Sequence, residues 1–154
     1  MAHTSELTFA QPGGIEGAVR VELLDDHAAY WMYVDLGDDG VVTIRHDEVA
    51  LPRGRLFELR ADGLWAELVC EVPDEHWTFG LEAFGLRHES RDEARSADVG
   101  ERVPVGFDLE WDEGRVVGEV LVGRRRFAVD GPGRFTEHED APATSWSDWL
   151  GNSG

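Results

Sequence analysis

An all-β fold, an antiparallel barrel of about eight or nine strands with a short C-terminal helix or tail, is predicted by three observations. Runs of roughly four to ten residues rich in Val, Leu, Phe and Trp recur about every ten residues, separated by glycine- and aspartate-bearing turns. Within the runs, apolar and polar residues alternate, which puts one face of each strand against a core and the other in water. No helical period is long enough to supply a second layer. A sheet of this size then buries its apolar face by curling on itself, which also removes its edges. Two packed sheets, a β-sandwich, are the alternative.

Taken in order, residues 1–14 read as a loose N-terminal tail closed by Pro12-Gly13-Gly14, residues 15–150 as one barrel domain, and residues 151–154 as a loose end. Val19, Val21 and Leu23 alternate with Arg20 and Glu22. Leu64, Ala66, Leu68, Cys70 and Val72 alternate with Trp65, Glu67 and Glu71. The clearest strand runs from Val103 to Asp112, with Val103, Val105, Phe107, Leu109 and Trp111 on one face and Asp108, Glu110 and Asp112 on the other. Turns are expected at Gly37-Asp38-Asp39-Gly40, Ala61-Asp62-Gly63, Asp112-Glu113-Gly114, Val122-Gly123 and Asp130-Gly131-Pro132-Gly133.

Two runs, Tyr30 to Leu36 and Trp77 to Leu86, are apolar on both faces, so something covers each of them on both sides. The charged stretch Ser90–Gly100 reads as a loop or a single helical turn. Near the end, Ser145 followed three residues later by Asp148 resembles a capping box that opens a short helix, whose Trp146 and Trp149 are expected to dock on the barrel.

Composition narrows the partners. Lys and Arg together number 14, all of them arginine, against 32 carboxylates, for a formal charge of -18. Such a surface repels phosphate backbones and anionic headgroups, so neither nucleic acid nor membrane is an expected partner. The one cysteine, Cys70, sits in an apolar strand and is expected to be buried, with no internal disulfide. No basic leader with an apolar stretch behind it and no apolar run of about 18 residues is present, and a cytoplasmic location follows by default.

No phosphate-binding loop, dinucleotide glycine fingerprint, serine elbow or zinc helix occurs. The six histidines, at 3, 27, 46, 76, 88 and 138, have no metal-ligand spacing, so neither a metal nor a cofactor is expected. What remains is a set of carboxylates among aromatics. Glu82, within His76-Trp77-Thr78-Phe79-Gly80-Leu81-Glu82-Ala83-Phe84-Gly85, and Glu119, within Gly118-Glu119-Val120-Leu121, are the expected proton donors, because a carboxylic acid in an apolar enclosure stays protonated near neutrality. The competing reading is an outward carboxylate on a half-wet strand. Trp31, Tyr33, His76, Trp77, Phe84 and Trp146 are the expected substrate contacts.

Three blocks read together carry a resemblance: Gly63-Leu64-Trp65-Ala66-Glu67-Leu68-Val69-Cys70-Glu71, the His76–Gly85 block quoted above, and Arg102-Val103-Pro104-Val105-Gly106-Phe107-Asp108-Leu109-Glu110-Trp111. They resemble the lipocalin-like proteins of the AttH, hydroxyneurosporene synthase and tocopherol-cyclase-like group, over a span from about Tyr30 to Trp149. The resemblance implies a calycin-type barrel that acts without a cofactor on isoprenoid or polyketide-like substrates. Two departures matter: family members carry two barrel-like halves where this chain matches only the first, and Thr144-Ser145-Trp146-Ser147-Asp148-Trp149 lacks the family's histidine and arginine. The missing half raises the expectation of a homodimer, in which each copy covers the other's doubly apolar strands.

The expected function is thus a cofactor-independent cyclase or hydratase acting on a hydrophobic polyene, polyketide or isoprenoid, shaping its guest by proximity and orientation. The alternative is a non-catalytic carrier of a small apolar ligand. A third reading is a barrel filled solid by its own side chains.

Overall fold

The computed structural model describes residues 3–52, 57–96, 99–139 and 144–151. Its strands are β1 (His3–Ala10), β2 (Glu16–Leu23), β3 (Ala28–Asp35), β4 (Val41–Val49), β5 (Phe57–Ala61), β6 (Leu64–Val72), β7 (His76–His88), β8 (Glu101–Asp112), β9 (Arg115–Val122) and β10 (Arg125–Glu139), with two short helices, α1 (Arg91–Ser96) and α2 (Trp146–Gly151). Hydrogen bonding orders them β4-β3-β2-β1-β10-β9-β8-β7-β6-β5, and β4 pairs back onto β7. All neighbours are antiparallel. β1 to β4 and β7 to β10 therefore close a ring of eight strands, and the hairpin β5–β6 extends from β7.

The closure is short. β7 shares one edge between two neighbours: His76 to Ala83 pair with β6, whereas Leu86, Arg87 and His88 pair with Thr43, Val42 and Val41 of β4. Beyond those three pairs β4 and β7 part, and a wedge opens between them.

Alternation decides what fills the ring. Leu7 and Phe9 of β1, Val19 and Val21 of β2, Tyr30, Met32 and Val34 of β3, Phe79 and Leu81 of β7, and Val105, Phe107 and Leu109 of β8 belong to one continuous buried cluster. Each fully buried Leu or Phe there stabilises the fold by roughly 1.5–3 kcal/mol relative to exposure. β9 keeps its register against β8 through Gly118 (φ 152°), where an added Cβ would lie 2.0 Å from the Asp108 carbonyl oxygen.

Outside the ring, a second cluster joins Ala18, Tyr33 and Val41 to Ala94 of α1 and to Trp146, Trp149 and Leu150 of α2. Ser145 caps α2 as expected: the Asp148 N–H donates to Ser145 Oγ at 3.1 Å. Trp149 meets the rings of Trp31, Tyr33 and Trp146 at centroid distances of 5.7, 5.3 and 5.7 Å. The outer apolar face of β3 is thus covered by the chain's own C-terminal helix, so that strand needs no second copy to cover it.

Three expectations from the sequence are corrected. Within residues 1–14, His3–Ala10 is not a loose tail but forms β1, hydrogen-bonded to both β2 and β10. Asp130-Gly131-Pro132-Gly133 is not a turn but the middle of β10, where the strand passes from β9 to β1; an added Cβ on Gly133 would lie 2.2 Å from Val116 Cγ2, so glycine permits the close passage. Cys70 is exposed; it lies past Phe57↔Leu68, the last described pair between β5 and β6. Residues 152–154 of the expected C-terminal end lie outside the described residues.

Candidate functional site

Pairing across neighbouring strands puts directly opposed residues on one face of the sheet. The ladder Glu137↔Ser5↔Val21↔Tyr30↔His46 runs across β10, β1, β2, β3 and β4, on the inward face. Most of that row is polar, inside a barrel that is otherwise apolar. Ser5 and Tyr30 are buried, at 5% and 1% exposure, and His46 is half-buried. His3, the next inward residue of β1, brings Nε2 to 3.4 Å from both Glu137 Oε1 and Ser5 Oγ. Next to Glu137 on the same face, Phe135 gathers Trp77, Phe79 and Trp111 at centroid distances of 4.6, 5.5 and 5.8 Å. A polar row therefore borders an aromatic wall.

Tyr30 is the unusual member. Its hydroxyl has no hydrogen-bond partner among the described residues, and burial alone pushes its phenol well above the ordinary range. Across the ladder, burial pulls His46 below the usual imidazole value, against an opposing pull from Asp47. The ring is thus neutral at pH 7 and offers one donor and one acceptor.

The wedge between β4 and β7 leads to His46. It holds a cleft of about 210 Å³ lined by Ile44, Arg45 and His46 on one side and Phe84, Gly85 and Leu86 on the other, with Ala94 and Trp146 above. The Arg45 guanidinium lies 5.5 Å from the Trp146 ring and 5.6 Å from that of Trp31.

The residues singled out from sequence fall into separate places. Phe84 and Trp146 meet at the wedge. Trp31 and Tyr33 point outward beneath α2, where they pack against it. Trp77 faces inward, in the aromatic wall. His76 faces outward and hydrogen-bonds Glu110 at 2.5 Å.

Glu82 and Glu119 both lie on the outer face, with Glu82 exposed and Glu119 paired to Arg126 at 3.4 Å. Neither occupies the apolar enclosure that would hold a carboxylic acid protonated. Glu82 and Phe84 share an outer groove of about 670 Å³ with Trp65, Pro104, Asp108 and Leu121, floored by Gly106. Trp65 is fixed there by a 2.8 Å hydrogen bond from Nε1 to Glu58, which together with Arg60 pulls that carboxyl below its usual range.

Sequence reasoning missed Ser5, Tyr30, His46 and Glu137 as a set. The signal was the period of two in His3-Ser5-Leu7-Phe9 and in Tyr30-Met32-Val34, which aligns their polar members with the core face.

Among the described residues no three His, Cys, Asp or Glu side chains gather as metal ligands, and no helix is long and apolar enough to cross a membrane. The fold and this row define a closed, eight-stranded antiparallel β-barrel, compatible with the lipocalin-like fold, with a polar belt near one end of its interior. No protein-family model, no curated protein and no solved structure matches the chain.

Proposed function

We propose that this barrel binds a small, predominantly apolar molecule carrying one hydrogen-bonding group, which passes the β4–β7 wedge and pairs with the Tyr30 hydroxyl inside. The observation that carries this reading is the buried Tyr30 hydroxyl with no partner among the described residues, in an apolar interior beside half-buried His46. Ligand sites are predominantly apolar with a few placed polar groups, and Ser5, Tyr30 and His46 are such groups. The resemblance to the AttH, hydroxyneurosporene synthase and tocopherol-cyclase-like group supports the same reading, since lipocalin-like barrels hold apolar guests in their lumen. Binding without chemistry is favoured over the cyclase or hydratase reading, because Glu82 and Glu119 stand outside the barrel.

A second reading rests on the outer groove, whose volume of about 670 Å³ falls within the range of small-molecule sites. There the ligand would lie on Trp65, Phe84 and Leu121, with Glu82 or Asp108 taking its polar end.

Titration with N-phenyl-1-naphthylamine, an apolar fluorophore with a single N–H, separates the two. The interior reading expects saturable binding of one probe per chain, weakened about three- to tenfold by Tyr30→Phe, as one neutral hydrogen bond is worth. Glu82→Gln is expected to leave the affinity within about twofold. The reverse pattern, loss with Glu82→Gln and none with Tyr30→Phe, overturns the interior reading in favour of the groove. Absence of saturable binding overturns both.

A further inference from the structure

A second site stands apart from the barrel interior. At the junction of the 3-10 turn Gly37–Asp39 with the end of β7, α1 and the start of β8 lies a cleft of about 740 Å³. Its lining includes five carboxylates, Asp38, Asp39, Glu89, Glu93 and Glu101, together with His88. The cations nearby are Arg87, which also lines the cleft, and Arg125, whose Nη1 lies 2.6 Å from Asp39 Oδ1. Among the described residues, five acids against these two guanidiniums leave an excess of three negative charges. Glu93 is held in place by accepting from the Glu89 backbone N–H at 3.3 Å.

An independent feature of the cleft points to a ligand. His88 is 3% exposed; its Nε2 lies 3.4 Å from Thr43 Oγ1, and its Nδ1 is sealed from solvent with no hydrogen-bond partner. That nitrogen faces Gly100, which also lines the cleft: an added Cβ on Gly100 would sit 3.2 Å from it. Burial lowers the imidazole's pKa against the raising pull of Glu93, so the ring is neutral at pH 7. In the tautomer that donates Nε2–H to Thr43, Nδ1 is an unused acceptor, and an unused buried acceptor calls for an N–H donor.

From this geometry we infer that the cleft binds an elongated organic polycation of the polyamine class, its ammonium groups spread over Asp38, Glu89, Glu93 and Glu101 and one N–H directed to His88. A compact metal ion does not suit the arrangement, because among the described residues no three potential ligands converge. A flexible chain of ammonium groups does, since its charges are as dispersed as the carboxylates. The net charge of -18 raises the local concentration of any cation and speeds its arrival.

The test is calorimetric titration of the full chain with spermidine at about physiological salt, where diffuse attraction is screened beyond about 8 Å, with magnesium chloride at matched ionic strength as comparator. The expected result is one spermidine per chain, bound at least tenfold more tightly than magnesium. Glu93→Gln with Glu101→Gln is expected to weaken spermidine at least tenfold, and Glu71→Gln, remote from the cleft, to leave it within twofold. His88→Leu weakens it severalfold; if that variant does not fold, the paired glutamine substitutions decide. Non-saturating heats, parity with magnesium, or equal loss in the cleft and Glu71 variants overturns the inference and reduces the acidity to a screened surface charge.

Discussion

Replacing Tyr30 by phenylalanine deletes one oxygen and leaves the ring, its neighbours and its volume nearly unchanged. Tyr30 is 1% exposed within the continuous apolar cluster, opposite Val21 and His46, and its hydroxyl has no partner among the described residues. Burial desolvates that hydroxyl, at a cost that reaches about 1–3 kcal/mol for a group cut off from every partner, and the substitution removes it. For a chain of this size each kcal/mol moves the melting temperature by roughly 2–4 °C, so the unliganded variant is expected to melt several degrees higher. The sign is informative, because most core substitutions destabilise by about 1 kcal/mol. Urea unfolding followed by tryptophan fluorescence, with thermal melts beside it, reads both quantities. A loss of about 1 kcal/mol or more on Tyr30→Phe refutes the reasoning: the hydroxyl would then already be bonded, and no polar group would be waiting for a guest.

Other outcomes follow from the same structure. Trp149→Ala removes the ring that ties α2 to Trp31, Tyr33 and Trp146, and is expected to cost about 3 kcal/mol in urea unfolding; a loss under about 1 kcal/mol contradicts a docked helix. Gly118→Ala forces a Cβ to within 2.0 Å of the Asp108 oxygen at a φ of 152°, and is expected to lose at least about 2 kcal/mol or fail to fold; a tolerated variant shows a looser β8–β9 contact. His46 and His88 are both held below the ordinary imidazole value of 6.5, chiefly by burial. The unfolded chain binds their protons first, so the stability present above pH 6.5 declines as pH falls through the folded values. Melting temperature is expected to drop from about pH 7.5 to about pH 5.5, less steeply in His46→Gln, and a flat profile contradicts the assignment.

The strands and their turns were legible because their signals are local. Val103 to Trp111 announces its inward face by strict alternation, and Ser145 with Asp148 announces α2 through a hydrogen bond spanning three residues. The second partner of β1 was not legible: besides β2 it pairs with β10, with His3 opposite Glu139, and nothing near residue 3 reveals a pairing made at the far end of the chain. The two faces of β3 and β7 were also ambiguous, since both are apolar. In β3 the outward face is apolar because α2 covers it, so Trp31 and Tyr33 pack outward under that helix and away from the lumen. In β7 Glu82 shares its face with Phe84, which looks like an interior in one dimension and is a surface groove in three. The polar belt of Ser5, Tyr30, His46 and Glu137 draws on strands more than a hundred residues apart in sequence, and only closure of the ring brings them to one level.

The central claim, that a guest lodges inside the barrel beside Tyr30, is tested most directly by mapping backbone amide NMR shifts during titration with N-phenyl-1-naphthylamine. Shifts concentrated at Ser5, Val21, Tyr30 and His46, and attenuated in Tyr30→Phe, are the predicted result. Shifts confined to Trp65, Gly106 and Leu121 on the outer face, with the inner row silent, would contradict it.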